Sequence, residues 1–312
     1  MNEIFVGIDV SKKTLDLYVH PLQQAMQFKN DQTGIEEMIQ KLRPLNPKLV
    51  VLEATGRYGR PVTVELCYAG IPIAVVNPRK VRAFARAMGK LAKTDKIDAQ
   101  VIALFGERVP LECYVLPPDD VQALTELIKR RCQLLDMRTS ESNRQYDTQL
   151  VNVAKSIKTI LNTINLEIEK IDKQIDALVK SSKTLKEKDN LLQGIPSIGK
   201  YTSSMLIAFL PEIGTLGKRK ISSLAGLAPM NCDSGMFRGH RAITGGRPFV
   251  RTALYMATLS AIRCNPKIRE FYERLIVKGK PPMVALTACM HKLLIIANAV
   301  IRDNKPWCIN NS

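Results

Sequence analysis

The 312-residue sequence is short of acid. Its 29 Asp and Glu face 46 Lys and Arg, which leaves a formal charge of +17 at pH 7. A chain so unbalanced repels itself unless a polyanion lies close, so nucleic acid or an anionic membrane surface is its natural partner. Signs of a membrane are missing. No uninterrupted apolar run reaches about 18 residues, and the N-terminal MNEIFVGIDV has no basic segment followed by a hydrophobic one. Neither a spanning helix nor a secretion signal is therefore expected. Cysteine occurs at positions 67, 113, 132, 232, 264, 289 and 308 but never as CxxC. Such a scattered, odd set fits reduced thiols in the cytoplasm better than a disulfide framework or a zinc site. Internal repeats and low-complexity tracts are absent too. What is present is ordinary for a globular protein, 46% hydrophobic and 24% charged residues in a length sufficient for two or three domains. Composition alone is equally compatible with a basic protein that only binds RNA.

Strand and helix signals alternate through the first hundred residues. Residues 4–10 and 14–20 read as strands joined by a short turn, with a third at 24–29. A helix pattern runs from Thr33 to Leu42, then come a strand at 48–53, a helix at 61–69 and a strand at 71–76. This order predicts a mixed sheet with helices on its faces. After Pro78 a helix is expected to carry Arg79, Arg82, Arg86, Lys90 and Lys93 on one side, with Val81, Phe84, Ala85, Met88 and Leu91 on the other and Lys80 as a further basic candidate. A charged stripe is often just a solvated face, but a run of cations without an acid among them suits a phosphate backbone. Pro117-Pro118 marks a boundary, because the residue before proline avoids helical geometry. Beyond it lies a largely helical stretch in which Ile157, Ile160, Ile164, Ile168, Ile171, Ile175 and Leu178 alternate steps of three and four. Such a seam needs a partner helix, either within the chain or in a coiled-coil contact between copies. Three regions result, 1–116, 117–188 and 189–312.

Four carboxylates fall at positions suited to chemistry. Asp9 ends the first strand and Glu53 a later one, while Asp95 and Asp98 sit three apart at the start of a helix that Thr94 could cap. Adjacent parallel strands would bring Asp9 and Glu53 together at their C-terminal ends. Oxygen donors without His or Cys suit Mg²⁺ or Mn²⁺, and two such ions about 4 Å apart can clamp the attacking and leaving oxygens of a phosphodiester. Taken singly, each acid is better explained as a turn residue or a complement to a helix dipole. As an ordered set they favour function.

The segments GIDVSK at 7–12, EATGRYG at 53–59, VVNP at 75–78 and KTDKIDA at 93–99 resemble the N-terminal domain of DEDD-type insertion-sequence transposases, a family that includes pilin-gene-inverting recombinases. The resemblance implies an RNase H/RuvC-like α/β catalytic domain, with Asp9, Glu53, Asp95 and Asp98 as catalytic acids and metal ligands.

Farther on, LQGIPSIGKYTSSML at 192–206 looks like a helix-hairpin-helix in which Gly194 and Gly199 bracket a turn. Backbone N–H groups of such a turn can hold a phosphate, although the same pattern also makes a plain helix connection. LAGLAP at 224–229 precedes a glycine-rich loop. No acid lies between Ser234 and Ile268, while Arg238, Arg241, Arg247, Arg251, Arg263 and Lys267 accumulate. Ser234 on its own reads as a turn serine, with His240 the nearest base. LAGLAP, the Ser-Gly and GGRPFVRTALYMA at 245–257 extend the resemblance into a mainly α C-terminal transposase domain. It implies that Ser234 attacks DNA to form a covalent phosphoserine. It implies as well that the family assembles as dimers and tetramers on DNA in the bacterial cytoplasm and uses a structured noncoding bridge RNA as guide. Two other readings stay open. One is a RuvC-like nuclease in which water attacks, and the other is a non-catalytic DNA- or RNA-binding scaffold.

Overall fold

The computed structural model describes residues 3–90, 95–230, 233–234, 237–238 and 241–308, with backbone alone at 95–96, 233–234 and 237–238. Lys93 and Thr94 lie outside the described residues, as do the side chains of Asp95, Ser234, Arg238 and His240. The chain divides into two compact units, Met1–Leu116 and Pro117–Ser312.

Five strands build the first unit: β1 (Phe5–Val10), β2 (Thr14–His20), β3 (Gln24–Lys29), β4 (Leu49–Glu53) and β5 (Ile73–Val76). They form one mixed sheet in the order β3-β2-β1-β4-β5. The β1–β2 and β2–β3 pairs are antiparallel, the β1–β4 and β4–β5 pairs parallel. Because side chains alternate along a strand, Val6, Ile8 and Val10 face one way and Phe5, Gly7 and Asp9 the other. The first face packs on α1 (Gln32–Leu42) and α2 (Arg60–Tyr68) through Ile35, Met38, Leu42, Val62 and Leu66. The second packs on α3 (Pro78–Ala87) and α4 (Asp95–Arg108) through Val81, Ala85, Val101, Ile102 and Phe105. Fully burying an aliphatic side chain such as Ile8 or Leu52 contributes about 1.5–3 kcal/mol. Local signals set the helix starts, Asp31 accepting from the Gly34 N–H and Asn77 from the Arg79 N–H, each at 2.9 Å.

The sequence pattern continues the basic helix to Lys93, but α3 stops at Ala87. Gly89 takes the left-handed conformation, φ 70°, that turns the chain out of the helix. Arg79, Lys80, Arg82 and Arg86 therefore share one helix, whereas Lys90 lies beyond its end and donates to Gln100 Oε1 at 2.9 Å.

The second unit is helical. Helices α5 (Asp119–Asp147) and α6 (Val151–Ser181) form a long hairpin. It is followed by α7 (Lys183–Gln193), α8 (Lys200–Phe209), α9 (Lys218–Ala225), α10 (Pro248–Cys264), α11 (Pro266–Val277) and α12 (Pro282–Asp303). Ile164 and Ile168 pack on Leu134 within the hairpin. Ile175 and Val179 join Val121, Leu124 and Ile128 in a core that continues to Val300, so residues 117–188 and 189–312 share one interior. At the root of the hairpin Arg131 grips Asp172 at 2.6 and 3.3 Å and lies 4.3 Å over the Tyr201 ring. The Tyr201 hydroxyl, 3.3 Å from Cys132 Sγ, is pushed up to about 12, by burial first and then by the Cys132 contact. The outer end of the hairpin is different: Tyr146 (88% exposed), Leu150 (70%) and Val151 (66%) stand in solvent. Helix α12 is, by length and composition, apolar enough to cross a membrane, which the uninterrupted runs do not suggest. Ala285, Leu286, Cys289, Leu293, Leu294 and Ala297 are buried along it, and the face packs into the core of the unit.

Candidate active site

Two glycines position the acids of the first unit. A Cβ on Gly7 would lie 2.1 Å from the Ala99 carbonyl oxygen and 2.4 Å from the Ala103 nitrogen, so α4 crosses β1 backbone on backbone. A Cβ on Gly106 would come within 2.6 Å of Val51 and 3.7 Å of Phe5. Residues 99–103 thus overlie position 7 and residue 106 overlies position 5, which means that α4 runs antiparallel to β1. The Tyr18–Gln100 hydrogen bond at 3.2 Å and the His20–Glu107 contact at 3.1 Å fix the same register on β2. Asp98 precedes the crossing by about 4.5 Å of helix rise, and Asp9 follows it by about 6.6 Å of strand. The first turn of α4 is therefore at the C-terminal end of β1.

Glu53 reaches that end by register. The parallel ladder runs from Phe5↔Leu49 to Ile8↔Leu52, and the next residues of the two strands are Asp9 and Glu53, on strands about 4.8 Å apart. Both point to the α4 side of the sheet, and Asp9, Glu53 and Asp98 are all half-buried. Among the described residues, no three His, Cys, Asp or Glu side chains close on a single point tightly enough to hold an ion. The donor chemistry, carboxylate oxygens at one partly open sheet edge, nevertheless suits a hard divalent cation.

The rim of this edge is tied together. Asn30 Nδ2 donates to the Ser11 carbonyl at 2.8 Å and the Tyr58 carbonyl at 3.2 Å, linking the segments that follow β1, β3 and β4. Lys12, Lys13 and Arg57 are exposed there, and the Arg57 guanidinium lies 4.8 Å from the Tyr58 ring centre while donating to its hydroxyl at 2.7 Å. Sequence reasoning missed these residues, and it missed Asp16, buried directly opposite Asp9 in the β1–β2 ladder. The LD of the second strand was the one available signal, an acid inside an apolar run.

In the second unit Ser234 lies on a two-step ribbon. β6 (Pro229–Met230) pairs with β9 (Ala242–Ile243), and β7 (Asp233–Ser234) pairs with β8 (Phe237–Arg238), which sets Ser234 opposite Phe237. A glycine clasp holds the base. Gly226 (φ 70°) caps α9, and a Cβ on Gly246 (φ 72°) would fall 2.1 Å from the Gly226 nitrogen. Arg247 N–H adds a 2.9 Å bond to the Leu224 carbonyl.

Arg247, expected to contact phosphate, is half-buried and paired within the protein. It donates to both Glu212 oxygens at 2.6 Å and to the Phe209 carbonyl at 2.9 Å. Burial works to raise the Glu212 carboxyl, but the hydrogen bonds and charge of Arg247 outweigh it and hold the group below its ordinary value. Arg251 donates to the Gly245 carbonyl at 2.7 Å, and Arg241 is exposed. In the turn between α7 and α8, Ile195 and Ile198 are buried while Gly194, Gly199 and Lys200 are exposed. A Cβ on Gly199 would meet nothing within 4 Å, so packing does not require glycine there.

Comparison with known proteins supplies the class. A transposase family model, the DEDD type of IS110, matches residues 6–153, and a second, described as transposase of the IS116/IS110/IS902 family, matches 189–273. The pilin gene-inverting protein of Moraxella bovis is 30% identical over 317 residues, covering 98% of each chain, and that of Moraxella lacunata gives the same figures. A 42 kDa protein of insertion element IS900 from Mycobacterium paratuberculosis is 23% identical over 240 residues, 74% of this chain and 59% of its own. The chain belongs to the IS110/IS116/IS902 family of transposases and recombinases, enzymes of DNA strand cleavage and transfer that bind DNA.

Proposed function

We propose that the chain is a serine-using recombinase whose N-terminal unit is an RNase H/RuvC-like domain with Asp9, Glu53, Asp95 and Asp98 as a DEDD metal set. The observation that carries this reading is the antiparallel passage of α4 over Gly7, which brings the helix turn bearing Asp98 to the strand ends bearing Asp9 and Glu53. Two Mg²⁺ or Mn²⁺ ions bound there would supply Lewis-acid stabilisation of the phosphate and of the attacking and leaving oxygens. The chain's own residues do the rest. The Ser234 hydroxyl oxygen forms a bond to phosphorus and the bond from phosphorus to one bridging DNA oxygen breaks, the serine proton passing by way of solvent to the DNA oxygen that leaves. The energy of the phosphodiester is thereby kept in a protein–DNA ester, which a second DNA hydroxyl reverses to rejoin the strands. Arg79, Lys80, Arg82 and Arg86 along α3, together with Arg241, Arg251 and the exposed turn at Gly194 and Gly199, track phosphates. A structured RNA encoded by the same element would occupy some of these basic segments and pair with donor and target DNA. The isoleucine seam packs largely within the chain, so the exposed apolar end of the α5–α6 hairpin, at Tyr146, Leu150 and Val151, is the surface that supports assembly into dimers and tetramers.

The test is a denaturing gel of the protein with labelled element-end DNA, Mg²⁺ and copurifying RNA, comparing wild type with Ser234→Ala and Asp9→Asn. A wild-type adduct that survives denaturation and is lost in both variants is the expected result. Nicked DNA without an adduct, undiminished in Ser234→Ala, would replace this reading with attack by water at the same acids.

A further inference from the structure

Asp16 belongs to none of the roles described so far. It stands directly opposite Asp9 across the antiparallel β1–β2 ladder, on the same face of the sheet, and is only 7% exposed. Gln27 Nε2 donates to its Oδ1 at 2.7 Å, and the Thr14 hydroxyl to its Oδ2 at 3.3 Å. Both donors are neutral, so they orient the carboxylate without cancelling its charge. Directly opposed residues of an antiparallel pair hold their Cβ atoms about 4.5–5.5 Å apart, and like charges so placed destabilise the pairing. Asp16, Asp9 and Glu53 thus form a row of acids across β2, β1 and β4. Burial amplifies the repulsion, because screening by water is weaker there.

We propose that Asp16 is a positioning residue of the cation site: its buried charge, held by Gln27 and Thr14 directly beside Asp9, strengthens divalent binding at that edge. This rests on the assignment of Asp9 to a metal site. Asp16 itself stays bonded to Gln27 and Thr14 and is not a ligand. Even with full solvent screening, a unit charge about 6 Å from a divalent ion changes its affinity by roughly tenfold.

Calorimetric titration of Mn²⁺ into the full-length protein, paired with thermal unfolding with and without Mn²⁺, tests this on wild type, Asp16→Asn and Asp9→Asn. Asp16→Asn keeps the volume and an acceptor for Gln27. It should weaken Mn²⁺ binding about tenfold and gain less in unfolding temperature from Mn²⁺ than wild type does. An affinity within twofold of wild type overturns the proposal and leaves Asp16 as a strut between β2 and β3. Asp16→Ser gives the same reading if the asparagine variant fails to fold. The Asp9→Asn control separates the two levels. If it binds Mn²⁺ like wild type, the metal-site assignment itself fails; if it loses binding while Asp16→Asn does not, the role of Asp16 alone fails.

Discussion

Arg247 illustrates how a residue that carries a charge signal can also brace the fold. Its place in an acid-free stretch marks it for phosphate, yet its guanidinium is spent on Glu212 and the Phe209 carbonyl. The pair joins the end of α8 to the start of α10, and so braces the root of the Ser234 ribbon. Replacing Glu212 with Gln should lower stability at pH 7 by about 1–3 kcal/mol, because a half-buried guanidinium loses its charged partner. The pH dependence has a definite sign. The folded-state value of Glu212 lies below the ordinary 4.5, so its contribution is complete above that pH and is lost as pH falls through the folded value. Urea unfolding at pH 7 and again near pH 3 should show the gap between wild type and Glu212→Gln closing in acid. A gap that stays constant would mean that the pair carries no net electrostatic stabilisation.

At the scale of elements, α3 is where charge and periodicity agree. Arg79, Lys80, Arg82 and Arg86 occur on a helix whose other side buries Val81 and Ala85. Changing Arg79, Arg82 and Arg86 to Gln should reduce the slope of log affinity against log salt for duplex DNA by about 2–3, at roughly 0.9 per phosphate contact. Filter binding between 50 and 200 mM salt would measure it, and an unchanged slope would make α3 a solvated face. Most of the sheet was legible as well. Short apolar runs rich in β-branched residues, such as FVGIDV and TLDLYVH, bounded by turn residues, read as strands, and helices cover the sheet they form on both faces. The acids were legible as types at strand and helix ends. So was the meeting of Asp9 and Glu53 at adjacent strand ends, but what brings Asp98 to them was not, because it depends on Gly7 and Gly106 letting α4 lie against the sheet, a contact between residues nearly a hundred positions apart. The end of α3 was missed because helical spacing survives past Gly89 while the backbone does not.

Two units with separate cores divide the proposed chemistry, the acids in one and Ser234 in the other. Neither unit holds the complete set, so the proposed reaction needs both units, from one chain or from two. Replacing Tyr146 and Leu150, at the open end of the hairpin, with Glu should shift the species seen by light scattering toward the 34.9 kDa monomer. Unfolding free energy should change by no more than about 0.5 kcal/mol, since both side chains are exposed. An unaltered mass would remove the hairpin end from the assembly contact.

The glycine clasp has an evolutionary corollary. Where the backbones of Gly226 and Gly246 touch, no side chain fits, so these two positions cannot drift. The segment they enclose has its ends already stapled, and lengthening a closed loop adds only about 0.6 kcal/mol per doubling. Insertions and deletions within the ribbon are therefore nearly neutral for the core beneath it. The clasp works as an adapter, a fixed socket into which relatives can fit arms of different reach.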